Sequence, residues 1–310
     1  MSAQPVRKVT TATLHALKVK GEKATFATAY DFPTATFADR AGLDLLLVGD
    51  SAAMTVLGHP NTLAITMTEM LVFARAVARA AKRAFVIGDL PFLSYQVSDE
   101  EAVRNAGAFI AAGCDAVKCE GGIRVARRVR AMTDAGIAVM GHLGLTPQAL
   151  GPQGGYRVQG KTLAATQRVL DDALALQEAG AFAILLEALP AESAAYIREQ
   201  LDVIVYGIGA GPDVDGQLVI SHDILGNFVG DIAPKFVSRY ASLDGVVEDA
   251  FRRYAADVRG GQFPAPQHCY PIDAAEAESI REARVAAKAR RATPSPSAGR
   301  TPRLARASAS

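Results

Sequence analysis

The chain has 310 residues, half of them apolar and 21% charged, with a formal net charge of +1. So neutral a balance excludes a whole-molecule field that recruits nucleic acid, and no run approaches the ~18–20 apolar residues of a membrane span. Three cysteines (Cys114, Cys119, Cys269) without a CxxC pair exclude a disulfide framework, and the opening MSAQPVRKVTTATLHALKVKGEK lacks a secretory apolar run, so a cytoplasmic, enzyme-sized chain is expected.

In chain order, residues 1–22 are expected to form an N-terminal helical segment. From residue 23 short apolar runs recur: ATFATAYDF, DLLLVGDS, AFVIGDLPF, AVKCEGG, AVMGHLG, AFAILLEALP and DVIVYGIGAG, with GQLVISHDIL as a weaker last member. Intervening segments such as TMTEMLVFARAVARAAKR and TLAATQRVLDDALALQEAG carry apolar residues at helical spacing. Near-continuous apolar strands indicate parallel strands covered on both faces. Their alternation with helices predicts a (β/α)8 TIM barrel over residues 23–270, with a doubly wound open sheet as the competing architecture.

AGLD, AGCD and AGAF, at Ala41, Ala112 and Ala179, place a glycine where a helix must stop before the next strand. Residues 271–290 read as an Ala-rich helical extension. Residues 291–310, rich in Pro, Ser, Ala and Arg, read as a disordered basic tail. From Ala283 onward there are seven basic residues and no acidic one. A solvated tail is expected there rather than a nucleic-acid arm.

The informative feature is where the acids fall. Asp50 ends LLLVGD, Asp89 ends FVIGD, Glu120 ends AVKCE and Glu187 ends AILLE. An ionised carboxylate is costly in an apolar run unless something pairs with it. In a barrel the C-terminal strand ends converge on one mouth, so these carboxylates would face each other and demand a cation. Hard oxygen ligands select Mg²⁺ or a similar divalent ion. The plainer alternative is that each acid caps a neighbouring loop or helix. Lys118 shares strand parity with Glu120, so both can enter one cavity. There Lys118 could hold a substrate carboxylate or form a buried ion pair.

His142 in GHLGLTPQ reads equally as a proton carrier or a satisfied structural histidine, and the role of His59 is open. GIGAG (Gly207–Gly211) follows a strand but runs into Pro212, which favours a tight turn over a phosphate loop. Cys114 and Cys119 read as core residues. GPQGGYRVQG is a plausible covering loop for the mouth.

At these same positions VGDSAAMTVLGHPNTL (Val48–Leu63), GDLPF, VKCEGG, GHLGLTPQ, GGYRVQG, GIGAG with DGQ downstream, and PKF resemble the ketopantoate hydroxymethyltransferase (3-methyl-2-oxobutanoate hydroxymethyltransferase) family. The similarity runs in order from about residue 8 to about residue 268. It implies a TIM barrel assembling as a homodecamer, with Mg²⁺ at Asp50 and Asp89 and with Glu120 in the metal's shell, directly or through water. It implies 2-oxo acid binding by Asp50, Ser51, Asp89 and Lys118, and Glu187 as proton acceptor. The implied reaction carries a one-carbon unit from the co-substrate 5,10-methylenetetrahydrofolate to 3-methyl-2-oxobutanoate through a Mg-stabilised enolate, giving 2-dehydropantoate on the route to pantothenate and coenzyme A.

Ala52 and Ala53 stand where Leu-Gly is usual in that family, Phe73 replaces a histidine, and Gln153 replaces an aromatic residue. The rival readings are another Mg-dependent enolate enzyme of the phosphoenolpyruvate mutase/isocitrate lyase type, usually marked by a lid cysteine, and a barrel that assembles without catalysis.

Overall fold

The computed structural model describes residues 7–149, 151, 155–230 and 234–292. The predicted tail from residue 293 onward and Gln153 of the covering loop therefore lie outside the described residues. Contacts divide the chain into two units, Met1–Val246 and Val247–Ser310.

In the first unit eight parallel strands close on themselves in sequence order. They are β1 (Ala24–Thr28), β2 (Leu45–Val48), β3 (Phe85–Asp89), β4 (Ala116–Glu120), β5 (Val139–Gly144), β6 (Ala183–Glu187), β7 (Ile204–Ile208) and β8 (Gly216–Val219). The helices are α1 (Thr11–Lys20), α2 (Phe32–Arg40), α3 (Ala52–Thr55), α4 (Met67–Ala80), α5 (Asp99–Ala111), α6 (Ile123–Asp134), α7 (Leu163–Glu178), α8 (Ala191–Glu199) and α9 (Ser221–Leu225). This is the (β/α)8 barrel the alternating pattern predicts. The weak last run is a strand only as far as Val219; the SHDIL that follows forms α9.

Strands β2 to β7 are buried on both faces, whereas Thr25 of β1 and Gln217 of β8 are exposed, and period two sorts the side chains between two cores. Leu45, Leu47, Phe85, Ile87, Ala116, Met140, Ala183 and Leu185 fill the barrel interior. Leu46, Val48, Val86, Val117, Cys119, Val139, Ile184 and Leu186 pack outward under the helices. The N-terminal helix serves the interior: Val9 and Leu14 join that core, and Leu17 packs against it. Thr10 opens α1 with a capping box, and Gly21 closes it in the left-handed region.

The glycines of the AGLD, AGCD and AGAF segments take positive φ (88°, 102° and 94° at Gly42, Gly113 and Gly180), ending three helices as expected. The aspartates beside two of them work at the strand starts. Asp44 accepts the Thr25 N–H at 3.0 Å, and Asp115 accepts that of Val86 at 2.8 Å. Acids at this end of the barrel pin neighbouring strands, whereas those at the other end do something else.

The second unit contains most of α10 (Leu243–Arg259) and all of α11 (Ala274–Ala292), the expected Ala-rich helix. Phe263 stacks edge-on to Tyr254 and tilts against His268, with ring centroids 5.7 and 5.1 Å apart.

Candidate active site

Strand register carries the acids to one end. Asp89 lies opposite Lys118, Glu120 opposite His142, and Gly144 opposite Glu187. Asp89, Lys118, Glu120, His142 and Glu187 share the inward parity of Ile87, Ala116, Met140 and Leu185. Gly144 is needed for the close approach of β5 to β6. Its φ is +89°, and a Cβ there would sit 2.3 Å from the Glu187 carbonyl oxygen. Immediately after Glu187 the chain turns through Ala188, a non-glycine residue at φ 50°. Such a conformation costs about 1–3 kcal/mol and persists where its surroundings over-determine it.

The side chains form a continuous run of contacts. Lys118 Nζ donates to Asp89 Oδ1 at 2.6 Å and reaches Glu120 Oε1 at 3.3 Å. His142 Nδ1 lies 3.1 Å from that same oxygen. On its other edge, His142 Nε2 lies 3.1 Å from Glu187 Oε2, a charge contact rather than an aligned hydrogen bond. The Asp50 N–H donates to Asp89 Oδ2 at 3.0 Å. Asp50, Asp89, Lys118, Glu120 and His142 are all buried, and Glu187 is only partly exposed.

These acids do not cap the helices that follow them. The N-cap positions of α3, α5, α6 and α8 are Ser51, Ser98, Gly122 and Pro190. Glu120 does hold a loop, since its Oε2 accepts the Gln148 N–H at 2.9 Å. Ser51 makes no side-chain cap bond; its hydroxyl instead pairs with that of Tyr30 at 2.8 Å.

Counted with a protonated His142, two cations face four carboxylates in this run. The surplus negative charge shows in the acid strengths. Burial, then the neighbouring Asp89 charge, push the Asp50 carboxyl well above the ordinary range, and Lys118 offsets only part of this. Burial likewise raises Asp89 against the pull of Lys118. Glu120 goes the other way: burial opposes its charge, but Lys118, His142 and the Gln148 N–H together bring it to about 2. Burial and Lys118 both disfavour a charged His142, yet Glu120 and Glu187 outweigh them and raise it to about 9.

Among the described residues no three His, Cys, Asp or Glu side chains converge as a metal cage. The donor set nevertheless suits a hard divalent ion held by two carboxylates, because Asp50 and Asp89 are adjacent, oxygen-only and short of positive charge. Mg²⁺ typically takes one or two protein carboxylates and fills its remaining positions with water and substrate oxygens. Both Glu120 oxygens already contact protein groups, as do both oxygens of Asp89.

The family profile for ketopantoate hydroxymethyltransferase matches residues 8–266. The chain belongs to the ketopantoate hydroxymethyltransferase family. It is 53% identical over 254 residues to the 3-methyl-2-oxobutanoate hydroxymethyltransferase of Syntrophobacter fumaroxidans, covering 82% of this chain and 90% of the relative. The enzyme of that name from Alkaliphilus metalliredigens is 51% identical over 257 residues, covering 83% and 90% of the two chains. Membership of the ketopantoate hydroxymethyltransferase family makes the chain an enzyme, a one-carbon transferase. Among solved structures, phosphonopyruvate hydrolase in complex with oxalate and Mg²⁺ superposes with a TM-score of 0.57 at 17% identity, covering 91% of this chain and 98% of the other. A 2,3-dimethylmalate lyase does so at 0.56 and 18%, covering 92% and 100%. At such identity these share the fold.

Sequence reasoning missed three side chains of this candidate site. Tyr95 and Gln148 underpin Glu120 and Asp50 from loops, and Tyr30 backs Ser51 from the end of β1. Gln148 and the segment around it belong to the GHLGLTPQ motif, which was the available signal for it. Tyr156 of GGYRVQG comes near the acids: burial and the charges of Glu187, Asp50 and Glu120 all raise its phenol. The first two residues of GIGAG end β7, and the chain bends at Gly209 and Ala210 toward β8, with no helix before that strand. Cys119 lies in the outward core and Cys114 is buried, so neither supplies the lid cysteine of the rival enolate enzymes.

Proposed function

We propose that this chain transfers a hydroxymethyl group from 5,10-methylenetetrahydrofolate to 3-methyl-2-oxobutanoate, giving 2-dehydropantoate, with Mg²⁺ bound at Asp50 and Asp89. The observation that carries the reading is the unbroken contact run from Asp89 through Lys118, Glu120 and His142 to Glu187, beside Asp50, with more carboxylates than cations. A divalent ion meets that deficit, and a 2-oxo acid presents two oxygens able to chelate it. When bound, Mg²⁺ supplies Lewis acidity where charge grows as the C3 proton leaves. Glu120, like Asp89, already contacts neighbouring protein groups through both oxygens, and it would join in holding the ion directly or through water.

The protein groups divide the remaining work. Lys118 has three N–H donors, two of them directed to Asp89 and Glu120, which leaves a third for the substrate carboxylate. Ser51 adds a hydroxyl, steadied by Tyr30. Glu187 removes the C3 proton, and His142, 3.1 Å from its Oε2, stabilises the carboxylate and keeps it oriented. The enolate carbon then bonds to the folate methylene as one carbon–nitrogen bond of the bridge opens. Water afterwards breaks the other and supplies the product hydroxyl, while the two folate nitrogens take up the C3 proton and a proton of that water, so water has to be kept from the methylene only until the carbon–carbon bond has formed. The segment carrying Tyr156 serves that exclusion. The working assembly is a cytoplasmic homodecamer, and the catalytic domain spans residues 23–270.

The test is reconstitution. Full-length protein given Mg²⁺, 3-methyl-2-oxobutanoate and methylenetetrahydrofolate should form 2-dehydropantoate, and omitting any of the three should abolish it. Absence of product from the complete mixture would refute the reading.

A further inference from the structure

Gln148 is a nearly buried side chain, 7% exposed, in the short turn Pro147–Ala149 after β5. Its amide orientation is dictated by its neighbours. The Leu90 carbonyl can only accept, so Nε2 must face it, at 2.9 Å. Oε1 lies 2.9 Å from the Tyr95 hydroxyl and accepts from it. The second Nε2 hydrogen is left for Asp50 Oδ2, also at 2.9 Å. The backbone N–H of the same residue holds Glu120 Oε2 at 2.9 Å. One residue thus grips the carboxylate at the end of β4 and the one just past β2, and it does so with neutral donors. A lysine there would cancel charge that a cation needs; a glutamate would add repulsion and lose the bond to Leu90.

We propose that Gln148 is a positioning residue for the divalent cation, fixing the Asp50 carboxylate by one oxygen so that the other is left for the ion. The proposal rests on the metal reading given above. Tyr95 is its anchor, since its hydroxyl also accepts from the Glu120 N–H at 2.9 Å, tying the amide to the end of β4. Groups that orient a metal-binding carboxylate typically change metal affinity by about 10–100-fold when replaced.

The experiment uses Mn²⁺ as the probe, with no folate or oxo acid. Free and bound Mn²⁺ are measured by electron paramagnetic resonance on the full-length wild type, Gln148→Met and Tyr95→Phe, and thermal unfolding is followed alongside. Gln148→Met should raise the Mn²⁺ Kd about 10–100-fold and alter the bound-ion spectrum. Tyr95→Phe should raise Kd less. A folded Gln148→Met protein with wild-type affinity and spectrum overturns the proposal while leaving the metal reading standing. Should Gln148→Met fail to fold, Tyr95→Phe decides on the same two readouts. A wild type that binds no Mn²⁺ overturns both.

Discussion

Glu187 and Lys118 show how neighbouring charges in one mouth take different roles. Glu187 is the more open of the two and meets the edge of His142, whereas Lys118 is buried between Asp89 and Glu120. Glu187→Gln keeps an oxygen beside His142 but cannot accept a proton. It should lower C3 deuterium exchange of the oxo acid by about 10²–10⁴-fold and leave oxo acid binding, measured by calorimetry, near wild type. Unchanged exchange would discard the base assignment. Lys118→Met strands two buried carboxylates, and removing one partner of a buried pair costs about 3–5 kcal/mol. Urea unfolding of the variant should register that loss; a shift below 1 kcal/mol, roughly the value of an exposed pair, would contradict it. Asp50, Asp89, Glu120 and Glu187 were legible because a charge ending an apolar strand stands out in the sequence. Gln148 and Tyr95 were not, because a polar residue in a loop is unremarkable until the fold brings it to Asp50, in the case of Gln148 across 98 positions.

At the level of elements, strand starts are held by aspartates that play no part in the chemistry. Asp39, near the end of α2, accepts the N–H groups of Lys82, Arg83 and Ala84 at 3.1, 2.9 and 2.7 Å, holding the entry to β3. Burial would raise its carboxyl, but the three N–H donors outweigh that and hold it below its ordinary 3.8. A lowered folded-state pKa means stability that is fully present above the ordinary value and lost as pH falls toward the folded one. Asp39→Asn should therefore lower Tm at neutral pH, and its deficit against wild type should narrow below pH 3.8. A deficit that stays constant down to pH 2 would contradict the assignment. The periodic helices and the glycine stops were visible as patterns of the local chain. The extent of β8 was not: Gly216–Val219 pairs with β1 and β7, while the equally apolar ISHDIL leaves the sheet. Pairing partners, not hydropathy, decide where such a run stops being a strand.

For the whole molecule, a formal charge of +1 gives almost no net field. Among the described residues no helix is long and apolar enough to cross a membrane. On α10, Val247, Phe251, Tyr254 and Val258 recur at helical spacing, and all are exposed. Contiguous exposed apolar surface of this kind commonly marks an association site. The decamer reading predicts a light-scattering mass of ten 32.5 kDa chains; a monomer mass across micromolar concentrations would remove it.

Local pattern alone determined the alternation of strands and helices and the strand ends that carry acids, and it favoured a barrel over an open sheet, since periods of 2 and 3.6 residues and a charge in an apolar run are properties of neighbouring residues. Only the closed sheet decided which oxygen meets which cation. Register set Asp89 against Lys118 and Glu120 against His142, and the loop after β5 carried Gln148 to Asp50. Those contacts depend on distances of about 3 Å between residues far apart in the chain, and tertiary packing is what fixes them.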